Sequence, residues 1–207
     1  MTIRARSFVA GAAALVVSGL LANGTAGAAD PKTIANLQAA YEGESNAHAR
    51  YVAFAKKADQ EGYAGAAGLF RAAARAEQIH ANNHAAVLKK LGATPRAKIE
   101  PVTPGSTREN LKVAIKGETY EKDDMYPAFL KQAEQVNNAG AIETFTYALN
   151  AEIEHARLFT AALNDLESMR TGRTWYVCPV CGYTAGKLDF DACPSSGTPA
   201  SEFEKIR

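Results

Sequence analysis

Two segments of the same form, Glu77-Gln78-Ile79-His80 and Glu152-Ile153-Glu154-His155, stand 75 positions apart in the 207-residue chain. Residues three apart on a helix share a face, so each segment can present one carboxylate and one imidazole to the same side. Two isolated glutamates, Glu44 and Glu118, lie upstream of them at matching positions. One Glu from each of two helices, plus Glu-x-x-His from each of the other two, is the ligand pattern of two-metal carboxylate bundles. One Glu-x-x-His alone would carry little weight, because solvated helices are rich in both residues. Two copies with both isolated glutamates point to a dinuclear metal site.

The surroundings sharpen that expectation. These side chains fall among alanines, tyrosines and leucines on faces that should be interior. Buried carboxylates without counter-charge take up protons instead of staying ionised, and two divalent cations would supply the missing charge. Carboxylate and imidazole ligands suit iron or manganese, with zinc as a competitor; redox chemistry favours two iron ions. Glu121, one helical turn after Glu118, is a fifth carboxylate where the first half has Ala47. Five negative charges then face four from a ferrous pair and six from a ferric pair, so Glu121 is expected to favour the oxidised state. Tyr51 and Tyr126 also match between the halves and are expected to hydrogen-bond the ligand carboxylates, with plain aromatic packing as the alternative. His48 and His84 have no counterpart in the other half and are read as outer or surface groups. Glu154 and Asp124 are read as solvated.

The elements that must position these residues follow from apolar spacing. Helical periodicity runs from Pro31 to about Gln60, from Ala64 to Leu91, from Ser106 or Thr107 to about Asn137, and from Ala141 to about Met169. Asn138 to Gly140 reads as a tight turn. Thr94 to Ser106 holds three prolines and few core candidates, so it is a connection. Two helical hairpins joined by a long central crossover result, an all-α, ferritin-like four-helix bundle over residues 30–171. The hairpins repeat one another: NLQAAYEGES, YVAFAKKA and AEQIHA in the first, NLKVAIKGET, YPAFLKQA and AEIEHA in the second. Glu44 and Glu118 are 74 positions apart, whereas Tyr51 and Tyr126 are 75 apart. One residue was therefore added between Glu118 and Tyr126, which predicts a π-bulge beside the chemistry.

The two ends of the chain differ in character. Residues 1–29 combine Arg4 and Arg6, the apolar run Phe8 to Ala22, and small residues around Ala26 and Ala28. This is the form of a cleavable signal peptide, with a retained anchor as the alternative, and it implies export to the periplasm or beyond. Lys+Arg 23 against Asp+Glu 22 leaves no basic field for nucleic acid. In residues 172–207, Cys178-Pro179-Val180-Cys181 and Cys193-Pro194-Ser195-Ser196 are two turns of the kind that enclose a tetrahedral iron or zinc, with Ser196 where a fourth cysteine would stand. Three outcomes remain open for this tail: a third metal ion held by Cys178, Cys181, Cys193 and an oxygen from Ser196 or water; a metal-free fold with Cys178 and Cys181 oxidised or free; or Cys193 bridging a second chain.

Taken together, the GES and GET turns, Glu121, AEQIH, EIEH, the MYPAF run and the CPVCGY tail make the chain from Pro31 to Arg207 resemble the rubrerythrins. The resemblance implies a di-iron bundle followed by a small rubredoxin-like domain, here lacking the fourth cysteine. It implies a non-haem di-iron peroxidase that reduces hydrogen peroxide to water with electrons from a donor protein. The implied ligands are Glu44, Glu77, His80, Glu118, Glu121, Glu152 and His155, with Glu121 and His80 exchanging on reduction and Tyr51 and Tyr126 beside the cluster. It also implies a homodimer in which one chain's tail approaches the other's di-iron site. Ferrous iron oxidation or storage, and a metal-stabilised bundle without turnover, are the competing readings.

Overall fold

A computed structural model describes residues Asp30 to Arg207; the expected signal peptide lies outside them. Among the described residues no helix is long and apolar enough to cross a membrane. Helix α1 (Pro31–Gln60) starts where Asp30 accepts the Thr33 amide at 2.7 Å, with Pro31 at the first helical position, where a missing N–H costs nothing. Gly62, at φ +77°, turns the chain into α2 (Ala64–Lys90). Helix α3 (Thr107–Tyr120) begins with a capping box: Ser106 caps the Glu109 amide, and the Glu109 carboxylate accepts from the Ser106 amide at 2.8 Å.

Helix α3 does not stop at Tyr120. Glu121–Met125 forms one π-helical turn and leads directly into α4 (Tyr126–Gln135). The inserted residue is therefore absorbed as a widened turn, at the place where the offset between the halves required it. Helix α5 (Ala139–Asn164) follows a turn that falls earlier than expected, at Val136 to Asn138. Asn137 takes the positive φ of 52°, and Asn138 caps α5 by accepting the Ala141 amide at 3.0 Å, so Ala139 and Gly140 are already helical.

The crossover, residues 91–106, has no regular structure of its own but is tied along α1. Gln38, Glu42 and Asn46 lie four apart on one face of α1. They accept the amides of Arg96, Lys98 and Glu100 at 3.2, 3.1 and 2.9 Å. Two apolar clusters flank the carboxylates. One centres on Tyr51, Phe54, Phe70 and Phe159, the other on Tyr126, Phe145, Leu37 and Leu88. The four-helix bundle with a central crossover is the expected fold.

The tail forms a three-stranded antiparallel sheet, β1 (Trp175–Val177), β2 (Thr184–Ala185) and β3 (Glu204–Ile206), ordered β2-β1-β3. It docks on α2 of its own chain. The Trp175 indole is buried and donates to the Gly65 carbonyl at 3.1 Å, while its ring covers Gly68, where a methyl group would be 3.1 Å from it. Arg75 and Glu204 pair through two 2.7 Å bonds; both are about a third exposed, so this pair adds about 0–1 kcal/mol and the buried indole contributes more.

Deleting the exposed residue Asp124 should convert α3 and α4 into one continuous α-helix with the spacing of α1. Because α1 shows that this register packs, the melting temperature should move by less than about 4 °C, under about 1 kcal/mol. Thermal melts followed by circular dichroism check this. Loss of the folded state would show that the widened turn is needed for folding.

Candidate metal centre

The side chains that spacing assigned to one face meet at the middle of the bundle. Glu44 from α1, Glu77 and His80 from α2 and Glu152 from α5 each bring one ligand atom into a group spanning at most 4.8 Å. Glu77, Glu118 from α3, Glu152 and His155 make a second such group. Glu77 and Glu152 belong to both, so they could serve two ions at once. Each position then adds its own glutamate and histidine. All six residues are buried.

Chemistry as well as shape fits a pair of cations. Seven buried side-chain polar atoms among the described residues lack a hydrogen-bond partner. Six of them are here: Glu44 Oε2, both Glu77 oxygens, His80 Nδ1, Glu118 Oε2 and Glu152 Oε1. Each such atom costs about 1–3 kcal/mol, more when charged. His80 Nδ1 is 3.0 Å from both Glu77 Oε2 and Glu152 Oε1, yet without hydrogen-bond geometry. A candidate di-iron cluster is thus present, and the donor set of carboxylates and imidazoles suits it.

Both histidines are oriented from the tail. His80 Nε2 is 3.0 Å from the Cys181 carbonyl, which can only accept, so Nε2 carries the proton and Nδ1 faces the site. His155 Nε2 is 2.9 Å from Thr184 Oγ1. The Thr184 hydroxyl gives its own proton to the Gly182 carbonyl at 3.1 Å, which leaves its oxygen to accept from His155. Gly182, at φ +76°, passes so close that a Cβ would run into His80 Nε2 and lie 3.2 Å from the Ala76 carbonyl. The tail thus touches the site of its own chain.

The tyrosines cross the bundle. Tyr51 from α1 donates to Glu118, and Tyr126 from α4 donates to Glu44. Burial, and then the charges of these carboxylates, push both phenols well above their usual range, so they stay protonated donors. Behind Tyr126 stands His84, buried and 3.0 Å from its hydroxyl, with Thr144 Oγ1 2.9 Å from His84 Nδ1. Burial, and then the charge of His80, push His84 down to about 3, so it is neutral. Because Tyr126 donates to Glu44, His84 donates to Tyr126 and accepts from Thr144. Tyr51 has no such backing. His48 instead contacts the Ala74 carbonyl at 2.7 Å, and Glu154 pairs with Arg157.

Glu121 lies on the π turn, half-buried and outside both four-residue groups. Burial, and then repulsion from Glu44, Glu118, Glu152 and Glu77, hold its carboxyl well above the usual range. His80, not Glu121, completes the first group. Cys178, Cys181 and Cys193 are buried and share their own group. Sequence reasoning missed the Cys181 carbonyl, Thr184 and Thr144; nothing in residue type or spacing marks them.

A bundle in which two helices give one glutamate each and two give Glu-x-x-His defines a dinuclear carboxylate protein. The rubrerythrin family model matches residues 35–163. Nigerythrin of Nitratidesulfovibrio vulgaris is 39% identical over 172 residues, 83% of this chain and 85% of that protein. Rubrerythrin-2 of Clostridium acetobutylicum is 38% identical over 173 residues, 81% of this chain and 93% of that protein. A solved structure of nigerythrin in its fully reduced, all-ferrous state superposes with a TM-score of 0.79 at 35% identity, covering 99% of this chain and 100% of that one. The chain belongs to the rubrerythrin family. With its ligand groups, that membership makes it an iron-binding oxidoreductase.

Protons occupy the centre when metal does not. Burial, then Glu152 and Glu77, push Glu118 up to about 8. Burial raises Glu44 and Glu77 too, whereas burial opposes the charge on His80 and His155 and nearby carboxylates more than reverse it. A raised pKa means that the folded form holds a proton the unfolded form releases. The Glu118 share of stability is therefore complete below about pH 4.5 and lost as pH rises through about 8. Metal-free protein should melt progressively lower between about pH 5 and about pH 8.5, while metal-loaded protein changes little. Calorimetry with and without chelator measures this; a flat metal-free profile would contradict it.

Proposed function

We propose that this chain reduces hydrogen peroxide to water at a pair of iron ions, using electrons delivered from a donor protein. The observation that carries this reading is the direct contact between the three-cysteine tail and a candidate ligand histidine: the Cys181 carbonyl accepts from the ring whose other nitrogen faces the carboxylates. A unit that passes electrons belongs there. Iron storage has no use for one, and a merely structural metal has no need of it.

When bound, the ions supply electrons and an oriented positive field for cleavage of the peroxide O–O bond. Everything else falls to the chain. Glu44, Glu77, Glu118 and Glu152, with His80 and His155, would hold the pair, Glu77 and Glu152 being common to both ligand groups. Cys181 and Thr184 keep each imidazole proton on Nε2, so that both Nδ1 atoms stay available. Tyr51 and Tyr126 hold protons at their hydroxyls against Glu118 and Glu44, where product water needs them. The flanking aromatic clusters keep bulk water out. With the export that residues 1–29 imply, the donor would be a protein outside the cytoplasm.

Glu121 fits the role of redox bias. It is near enough to feel all four carboxylates yet absent from the group that His80 completes, as expected of a ligand that serves the more positive, ferric pair. Glu121→Ala should therefore leave the fold intact and raise the cluster potential by about 60 mV or more, a tenfold change in ferric preference. Spectroelectrochemical titration reads this, and an unchanged potential removes the role.

Anaerobically reduced protein mixed with peroxide in a stopped-flow spectrometer tests the main reading. Fast oxidation, one peroxide per two ferrous ions, with a far slower response to dioxygen, is expected. Dioxygen-led turnover with mineral formation would make it a ferroxidase, and redox silence would leave a structural metal bundle.

A further inference from the structure

The tail contains two turns with matching backbone hydrogen bonds. Cys178 accepts the Gly182 amide at 3.0 Å and donates to the Tyr183 carbonyl at 2.9 Å. Cys193 accepts the Gly197 amide at 2.9 Å and donates to the Thr198 carbonyl at 2.7 Å. The two glycines have φ of +76° and +74°. Superposing one turn on the other pairs Cys178 with Cys193, and Cys181 with Ser196. Ser196 thus stands, in a turn of the same form, where the other turn places Cys181.

Distances extend the argument from backbone to side chains. With metal–sulfur and metal–oxygen bonds of about 2.3 and about 2.0 Å, a regular tetrahedron has S···S edges of about 3.8 Å and S···O edges of about 3.5 Å. Cys181 Sγ and Cys193 Sγ are 3.5 Å apart, and Cys178 Sγ and Ser196 Oγ are 3.3 Å apart. Both lie within about 0.3 Å of the ideal edges. The three sulfur atoms are buried and mutually within 4.8 Å, whereas Ser196 is half-buried at the open side. Ser196 Oγ is itself supported: Thr198 Oγ1 lies 2.8 Å away and the Thr198 amide donates to it at 3.4 Å. The Thr198 amide stabilises negative charge on the oxygen, as amides do for thiolates in such turns, and the Thr198 hydroxyl can add its proton. The neighbouring Ser195 accepts from Asn150 of α5 at 3.1 Å, fixing this turn on the bundle.

The geometry points to Ser196 Oγ as the fourth ligand of a tetrahedral three-sulfur, one-oxygen site for a divalent transition metal, iron or zinc. The oxygen is a harder donor than the thiolate it replaces and favours ferric over ferrous iron. An iron held here is thus harder to reduce than one held by four thiolates. Metal at this site is independent of what the bundle does with peroxide, since its ligands and its spectroscopic signature are separate.

The test uses the chain from Asp30 to Arg207, stripped and reloaded with cobalt(II), zinc or ferrous iron. Thiolate-to-cobalt charge transfer reports this site alone, because all three cysteines of the sequence lie in the tail. Expected are one cobalt per chain with that absorption, zinc displacing it, and a loss of affinity of about 100-fold or more in Ser196→Ala. Trp175 fluorescence, the only tryptophan in the sequence, shows whether the tail remains docked in each variant. Ser196→Cys, which restores an all-thiolate set, should keep the metal and raise the potential of the iron-loaded site. Absence of the charge-transfer band, equal affinity and spectrum in Ser196→Ala, or an unchanged potential in Ser196→Cys would each overturn the assignment.

Discussion

Four carboxylates gathered out of contact with water set the terms for the rest of the molecule. Left ionised and alone they would repel one another strongly at low dielectric. The metal-free chain manages this by retaining protons on Glu44, Glu77 and Glu118, while the two imidazolium rings more than offset the effect of burial on Glu152 and keep it charged. The bundle supplies the depth, two aromatic clusters close the ends, and the tail fixes the rings. Each of these is what a centre needs if its charge is to be balanced by ions and not by solvent.

The duplicated plan gives the centre near-symmetry, and three departures remove it. The π turn brings Glu121 to one side only. His84 and Thr144 support Tyr126, whereas Tyr51 stands among phenylalanines. His80 meets a backbone carbonyl and His155 a hydroxyl. Two equivalent positions would be expected from two equivalent hairpins; the chain instead backs its two tyrosines differently and gives its two histidines different partners.

Much of this is legible in the amino-acid sequence. Helices announce themselves through apolar spacing, because each must bury one face, and Glu-x-x-His is a statement about a single helix that needs no tertiary knowledge. Even the π turn can be read, since an offset of one residue between otherwise matching halves has to be stored somewhere. What escapes is contact carried by the main chain. The Cys181 carbonyl has no residue type, so no pattern can mark it as a partner for His80. Likewise, Thr184 gains its role from the docking of the tail. The crossover, featureless in sequence, is held by polar side chains on α1 whose spacing, i and i+4, reads as ordinary solvated surface. His84 is visible as an unmatched histidine, but its depth is not. The start of α5 lies two residues earlier than spacing suggests because Asn137, a non-glycine residue, accepts the left-handed conformation.

The approach of Gly182 to His80 makes tolerance to substitution uneven in an unexpected direction. A residue proposed to perform chemistry, such as Ser196, can be exchanged for one of similar size while the main chain stays in place. Position 182 performs none, yet a single methyl group there would wedge the tail away from α2 and release the imidazole it orients. The main chain here is therefore held more strictly by a bare hydrogen, which lets two parts of the chain touch, than by the size of a reactive side chain.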